Sequence, residues 1–355
     1  MFLFGNALGS VSFSYGQALR APQEIWQSLE GLPAKEREQR LVEGARTENA
    51  VVWYTNSSFD NAERYIREFK RAYPFTNPKL WRGKSRDVTQ RILAEARTDQ
   101  HLVDVIKPSA DLLPPLLQRN LIGRYESPSR AVFSAQARGP LWTNIAYAFR
   151  VFAFNPKRLA RKDAPASWED LLQPRFRGAI LFDESSLHEV ISLVSAWGRE
   201  RAVDYFNRLS QQKLLIRVGR DTMLRMMMAG EAPLAVTAYA YQSEALRART
   251  APIDWLGQDL IPTLVYPIAL ARNAPHPHTA ALFYDFLISE PGQRMMAQEG
   301  RVVAHPKVNP IYPRMKVLRA SLDSKRTHIN TMSRTEEHYR EALHILDKVI
   351  LKRAR

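Results

Sequence analysis

Four times in this sequence a short apolar run ends in a turn of small polar or charged residues and opens into a helix-patterned segment. The first case, 51-VVWYTNSSFDNAERYIREFKRAYP-74, sets the pattern. Residues 51–54 read as a buried strand. Ala62, Tyr65, Ile66, Phe69 and Tyr73 follow at i, i+3, i+4 spacing on one helical stripe, and Pro74 closes it. Asp60 and Glu63 stand at capping-box spacing. A second strand is expected near 79–81, followed by RGKSRDVTQRILAEAR with Val88, Ile92, Leu93 and Ala96 on one face. Next come a short strand, 102-LVDVI-106, and a helix interrupted by Pro114 and Pro115. The turns 183-DESSLHEV-190 and 219-GRDT-222 repeat the junction. Strand–helix alternation of this kind predicts an α/β fold with a mainly parallel sheet and helices on both faces.

Two runs break the alternation. The segments 145-IAYAFRVFAFNP-156 and 259-DLIPTLVYPIALARN-273 are long and β-rich, as expected of strands passing between two halves of a molecule. Residues 1–46 read as a leader plus a helix, with Ile25, Leu29 and Leu32 near helical spacing, so ordered structure is expected to begin with the strand at 51. The tail, 333-SRTEEHYREALHILDKVILKRAR-355, reads as an amphipathic helix with Tyr339, Leu343, Leu346 and Ile350 on one face.

Composition narrows the chemistry. The 355 residues contain no cysteine, which excludes disulfides, thiolate metal sites and cysteine nucleophiles. Lys and Arg total 51 against 36 Asp and Glu, a net charge of +15 that favours anionic partners. The basic residues are scattered rather than blocked, and no RNP-like or zinc pattern occurs, so nucleic acid is not the expected partner. No GxSxG, HExxH, P-loop or GxGxxG fingerprint appears, so an enzyme is not expected. No apolar run reaches the ~18–20 residues that span a bilayer. The N-terminal MFLFGNALGSVSFSYGQALRAPQ resembles the apolar half of a signal peptide, but its first positive charge is Arg20. A start assigned too far downstream would remove the basic end, so export to the periplasm is the expectation.

The order of motifs resembles that of bacterial extracellular solute-binding proteins of ABC importers, specifically the type 2 periplasmic binding proteins grouped with the ferric-iron binders. The stretches that carry it are VVWYTN, WRGKSRDVTQRILAEA, VDVI, FNP with APASWEDLLQPRFRGAI, AVDYFNRLSQQ, AGEAPLAVTAY and APHPHTAALFYDFLISEPGQRMMAQEG, together about residues 48–310. The resemblance implies a two-lobed clamshell. Lobe 1 would comprise 47–150 and 265–318, lobe 2 would comprise 151–264, and 319–355 would form a helical tail. Two crossing strands would serve as the hinge. It further implies a monomeric carrier without a cofactor, which delivers its solute to an inner-membrane permease.

Candidate ligand-binding residues come from the junctions. A turn of Asn56, Ser57 and Ser58 at a helix start offers free amide N–H groups, short donors and the positive end of the helix dipole, which suits an anion. Arg82 and Ser85 repeat this at the second junction, where a guanidinium fork matches carboxylate or phosphate. Ser185 and Ser186, then Arg220 and Thr222, follow in the other half, and Trp142 precedes the first long run. His188 and Glu189 are adjacent, which is not the spacing of a helical metal site. Ferric binders of the resembled group use two adjacent tyrosines as phenolate ligands. Here Tyr239 and Tyr241 are separated by Ala240, so they are metal ligands only if the solute is ferric iron. The expected partner is therefore a small anionic solute or ferric iron.

Overall fold

The computed structural model describes residues 21–352. The apolar N-terminal leader lies outside the described residues apart from its last few positions. Among the described residues the strands are β1 (Ala50–Thr55), β2 (Asn77–Arg82), β3 (Val105–Lys107), β4 (Trp142–Phe154), β5 (Ile180–Asp183), β6 (Leu215–Arg217), β7 (Leu234–Tyr239), β8 (Asp254–Leu256), β9 (Ile261–Leu270), β10 (Val302–Val303) and β11 (Thr327–Asn330). They join in the order β2-β1-β3-β9-β4-β7-β5-β6, with β8 and β10 on β4 and β11 on β9.

Pairing type follows connectivity. β1 runs parallel to β2 and β3, and β5 runs parallel to β6 and β7, because each strand is followed by a helical crossover. The two halves meet at β4 and β9, which are antiparallel. β4 has thirteen residues, roughly 40 Å of chain at ~3.3 Å per residue. That length serves both halves. Trp142 to Phe149 pair with β9, and Arg150 to Phe154 pair with β7 and β8. All but its first residue are buried, as its unbroken apolar reading requires of a strand covered on both faces. The result is a two-lobed mixed α/β clamshell.

Each lobe closes on its own aromatic cluster. In the first, Phe283 meets Phe69 and Trp53 edge-on at centroid distances of 4.8 and 5.3 Å. In the second, Trp168 packs against Phe152 at 5.0 Å, and its indole N–H donates to Leu260 O at 2.8 Å. Both geometries are the favoured tilted or T-shaped arrangements of aromatic quadrupoles.

Three local expectations are corrected. Ordered structure does not begin at the strand at 51. Helices Pro22–Ser28 and Ala34–Glu48 precede it and bury Trp26, Leu41 and Ala45 in the first core. Arg37 locks them there through Asp285 at 2.8 Å, with Tyr125 beside both. The tail is not one helix. It contributes β11, which pairs with β9, then helix Met332–His344 and a wider π-helical turn, Ile345–Ile350. The π turn shifts the buried stripe, so Ala342, Ile345, Leu346 and Ile350 enter the second core while Leu343 stays exposed. The helix Phe59–Ala72 starts at Ser58, whose side chain makes no cap, so the Asp60/Glu63 spacing forms no capping box. No helix of the described residues is long and apolar enough to cross a membrane.

Candidate solute-binding site

The ends of β1, β2 and β3 place three polar turns side by side, because parallel strands expose their C-terminal ends on one edge. Asn56 bridges them. Its Nδ2 donates to Ser85 Oγ at 2.6 Å, and its Oδ1 accepts from Lys107 Nζ at 3.0 Å. Ser85 Oγ also accepts from the Ser109 amide at 3.2 Å. Ser57 is buried, and its carbonyl takes Arg82 Nε at 2.7 Å, so that guanidinium buttresses the turn. Ser58 stands exposed at the helix start.

The second lobe supplies a denser wall. Arg150 on β4, nearly fully buried, pairs with Glu189 Oε1 at 3.0 Å. Arg220 reaches the same oxygen at 3.4 Å and Asp183 Oδ1 at 3.4 Å, and donates to Ser185 Oγ at 3.0 Å. Ser186 Oγ donates to Thr237 Oγ1 at 3.1 Å, and Arg220 Nε donates to Thr237 O at 3.0 Å. Thr237 carries φ of 68°, left-handed backbone that a β-branched residue enters at a cost of about 1–3 kcal/mol. Those two hydrogen bonds hold it. The strain sets the exit of β7, where Tyr239 ends the strand and Tyr241 lies in the first turn of helix Ala240–Ala248.

The tyrosines sit at the centre. Their ring centroids are 5.3 Å apart. The Arg150 guanidinium carbon stacks 3.5 Å from the Tyr239 centroid, with Arg220 at 5.4 Å. Arg301 lies 4.4 Å from the Tyr241 ring and 5.3 Å from Tyr266, and Lys107 Nζ lies 5.2 Å from Tyr266. These charges decide the ionisation. Burial raises the Tyr239 pKa, but Arg150 and Arg220 outweigh it and hold the hydroxyl below its ordinary value. Burial dominates at Tyr241 and Tyr266, whose pKa values are raised. Burial, with Arg301 nearby, brings the Lys107 ammonium down to about 7.

Four basic groups gather around these rings: Lys107, Arg150, Arg220 and Arg301. Three carboxylates offset them: Asp183, Glu189 and Glu299, the last pairing with Arg301 at 2.9 Å. The pairing is incomplete in a specific way. Nη1 of Arg150 and Nη1 of Arg301 are buried without a hydrogen-bond partner, and so are Asp183 Oδ2 and Glu189 Oε2. Buried polar atoms are normally satisfied, so donors and acceptors left unpaired in one cluster point to a guest that supplies both.

The structure brings Asn56, Ser57, Ser85, Ser185, Ser186, Arg220, Tyr239 and Tyr241 to this region, and Arg82 behind it. Thr222 instead accepts from Arg225 Nη2 at 3.0 Å on its own helix. Trp142 lies on the other face of the β4–β9 pair, against a cavity away from the cluster. His188 and Glu189 diverge: Glu189 binds the arginines, while His188 Nε2 meets Asp111 Oδ2 at 3.3 Å, a contact between the lobes. Burial works to raise the Asp111 pKa, and His188 is the main influence that brings it below the usual carboxylate value. Among the described residues no group of three or more His, Asp or Glu is placed to hold a metal ion.

Sequence reasoning missed Lys107, Arg150, Tyr266 and Arg301. Two of them carried a readable signal. Arg150 interrupts the apolar run IAYAFRVFAF, and Lys107 follows VDVI; a charge inside a buried strand is rare unless paired. Tyr266 is inconspicuous in a β-rich run, and Arg301 arrives from a loop with no local pattern.

Comparisons place the fold. The structure superposes on iron-bound HitA from Pseudomonas aeruginosa with a TM-score of 0.70 and 22% identity, over 84% of this chain and 99% of that one. It matches the ferric binding protein from Campylobacter jejuni with a TM-score of 0.72 and 16% identity, over 84% and 99%. AfuA from Actinobacillus pleuropneumoniae, solved with fructose-6-phosphate bound, gives 0.69 and 19%, over 84% and 98%. An uncharacterized protein of Haemophilus influenzae is 24% identical over 179 residues, 47% of this chain, and the match spans half the length of that relative. The model of the bacterial extracellular solute-binding proteins matches residues 102–321, well over half of the sequence, and the chain belongs to that family.

Proposed function

We propose that this protein captures a small hydroxylated anion, of the phosphorylated-sugar or hydroxycarboxylate class, between its lobes. The carrying observation is the pair of unpartnered guanidinium nitrogens, on Arg150 and Arg301, beside two unpartnered carboxylate oxygens, on Asp183 and Glu189. The arginines suit phosphate or carboxylate oxygens, since a guanidinium fork binds them with charge-assisted hydrogen bonds. The carboxylates need O–H donors, which sugar hydroxyls provide. Asn56, Ser85 and the first amides of helix Phe59–Ala72 complete the first-lobe wall. The bound fructose-6-phosphate of AfuA is in keeping with this ligand class.

The first lobe comprises residues 21–150 and 265–318, and the second 151–264 with the tail from 319. The lobes close about β4 and β9, and the ligand favours the closed form by touching both. The protein works in the periplasm as a monomeric carrier, not a catalyst, and hands its solute to an ABC-transporter permease in the inner membrane.

Ferric iron is the second reading, favoured by two tyrosines 5.3 Å apart. The three guanidiniums around them, Arg150, Arg220 and Arg301, oppose a trivalent cation, which needs several anionic oxygen ligands. Thermal-shift titration with fructose 6-phosphate, citrate, inorganic phosphate and ferric citrate separates the readings. A ligand at 100 times its Kd adds about 2.7 kcal/mol of stability. Stabilisation by an iron-free anion, lost in Arg301→Ala, is expected. Stabilisation by ferric salts alone, with a visible charge-transfer band abolished by Tyr239→Phe, would overturn the proposal.

A further inference from the structure

The reverse face of the β4–β9 pair carries a cavity of about 550 Å³. Strand alternation separates it from the cation cluster. Tyr147 pairs with Val265, and both line this cavity, whereas their neighbours Ala146 and Tyr266 pair on the opposite face, the one that bears Arg150. The cavity shares no lining residue with the cluster. Its volume lies within the roughly 300–1,000 Å³ of small-molecule sites.

Its walls come from distant parts of the chain. β4 supplies Trp142, Asn144 and Tyr147, the preceding loop supplies Arg138, and the tail supplies Ile329 and Arg334. Gly139 sets the indole in place, since a Cβ there would collide with the Trp142 ring. Asn144 is 93% buried (7% exposed), and its Nδ2 donates to Gln136 O at 3.2 Å. Its Oδ1 has no hydrogen-bond partner. A buried carbonyl oxygen of this kind calls for an N–H or O–H donor. The rim carries two guanidiniums, Arg138 and Arg334, against one carboxylate, Asp323, so it favours an anionic group. Arg334 spends Nη1 on Ile329 O at 2.9 Å.

We propose that this cavity is a second ligand site, which takes a planar aromatic carboxylate with a ring N–H or O–H. The ring lies between Trp142 and Tyr147, the donor meets Asn144 Oδ1, and the carboxylate meets Arg138 and Arg334. Aromatic stacking and charge-assisted hydrogen bonds supply the affinity.

Indole-3-acetate is the probe. The protein is labelled with 5-fluorotryptophan, and Trp142→Phe identifies the Trp142 resonance among the seven tryptophans. A saturable fluorine shift at Trp142 is expected at millimolar probe, with the other resonances unmoved. Indole-3-acetamide, which lacks the charge, and the Arg138→Ala/Arg334→Ala variant should each weaken binding about tenfold. Ile329→Trp should fill the cavity and abolish the shift while the remaining tryptophan resonances report an intact fold. Absence of a saturable shift overturns the proposal, as does a shift that survives both the arginine removals and the filled cavity. Neither result bears on anion capture at the opposite face.

Discussion

The two faces of the β4–β9 pair are built from neighbouring residues along the same strands, yet they carry opposite chemistry. One face presents Arg150 and Tyr266 to a sealed group of cations, carboxylates and phenols. The other presents Tyr147, Asn144 and Val265 to an open groove with aromatic walls and charges only at its rim. A strand sends alternate side chains to opposite sides, so one stretch of backbone maintains both environments. The difference lies in what each face must hold in place. On the sealed face removal of one member strands its partner without water; on the open face solvent replaces what is lost.

The strongest way to break this contrast is Arg150→Met. Glu189 would then keep only the longer contact to Arg220 at 3.4 Å, and breaking a buried pair costs about 3–5 kcal/mol. The urea midpoint should fall accordingly, and adding Glu189→Gln should recover part of the loss. A drop below about 1 kcal/mol would mean that the sealed face tolerates loss as the open one does.

Lys107 tests the sealed face through pH. Its folded pKa of about 7 lies below the unfolded value of 10.5. Between these values the unfolded chain holds a proton that the folded one lacks, so this group makes stability rise with pH and withdraws that contribution as pH falls to 7. Lys107→Met should flatten that slope in pH-dependent denaturation. A bound anion favours the charged ammonium, so binding should take up a proton, and affinity should decline as pH rises above 7. Calorimetry in two buffers of different ionisation enthalpy reads the uptake directly, and an unchanged uptake in Lys107→Met would remove the residue from the site.

Tyr239→Phe asks for less. It removes one hydroxyl from the arginine pair and should weaken anion binding by about 1–2 kcal/mol, roughly tenfold. On the open face Asn144→Leu should shift stability by under about 1 kcal/mol in either direction, because one lost hydrogen bond is offset by removal of an unpaired acceptor. A large loss there would show that both faces are equally intolerant.

The lobes were legible because each strand–turn–helix junction is local, and its signal lies within about twenty residues. The crossing strands were legible as unbroken apolar runs. The candidate site was half legible for the same reason. Asn56, Ser85, Ser185 and Arg220 stand at junctions, whereas Arg301 meets Tyr241 across sixty positions of sequence. Trp142 was misplaced because alternation decides its face, and the register shift between Asn144 and Ala146 is invisible in a sequence. A helix before the first strand was legible, but its membership of the core was not, because its cover, helix Pro277–Ile288, lies more than two hundred residues away.

Neither lobe is finished by the segment that begins it. Phe283 reaches back to Trp53, and Ile350 shares a cluster with Phe152. Amino-terminal fragments cut at any lobe boundary would therefore leave apolar faces bare, and refolding should proceed as a single late event once the final turn is available. Isolating either lobe from this polypeptide would require splicing its two separated segments together rather than truncation.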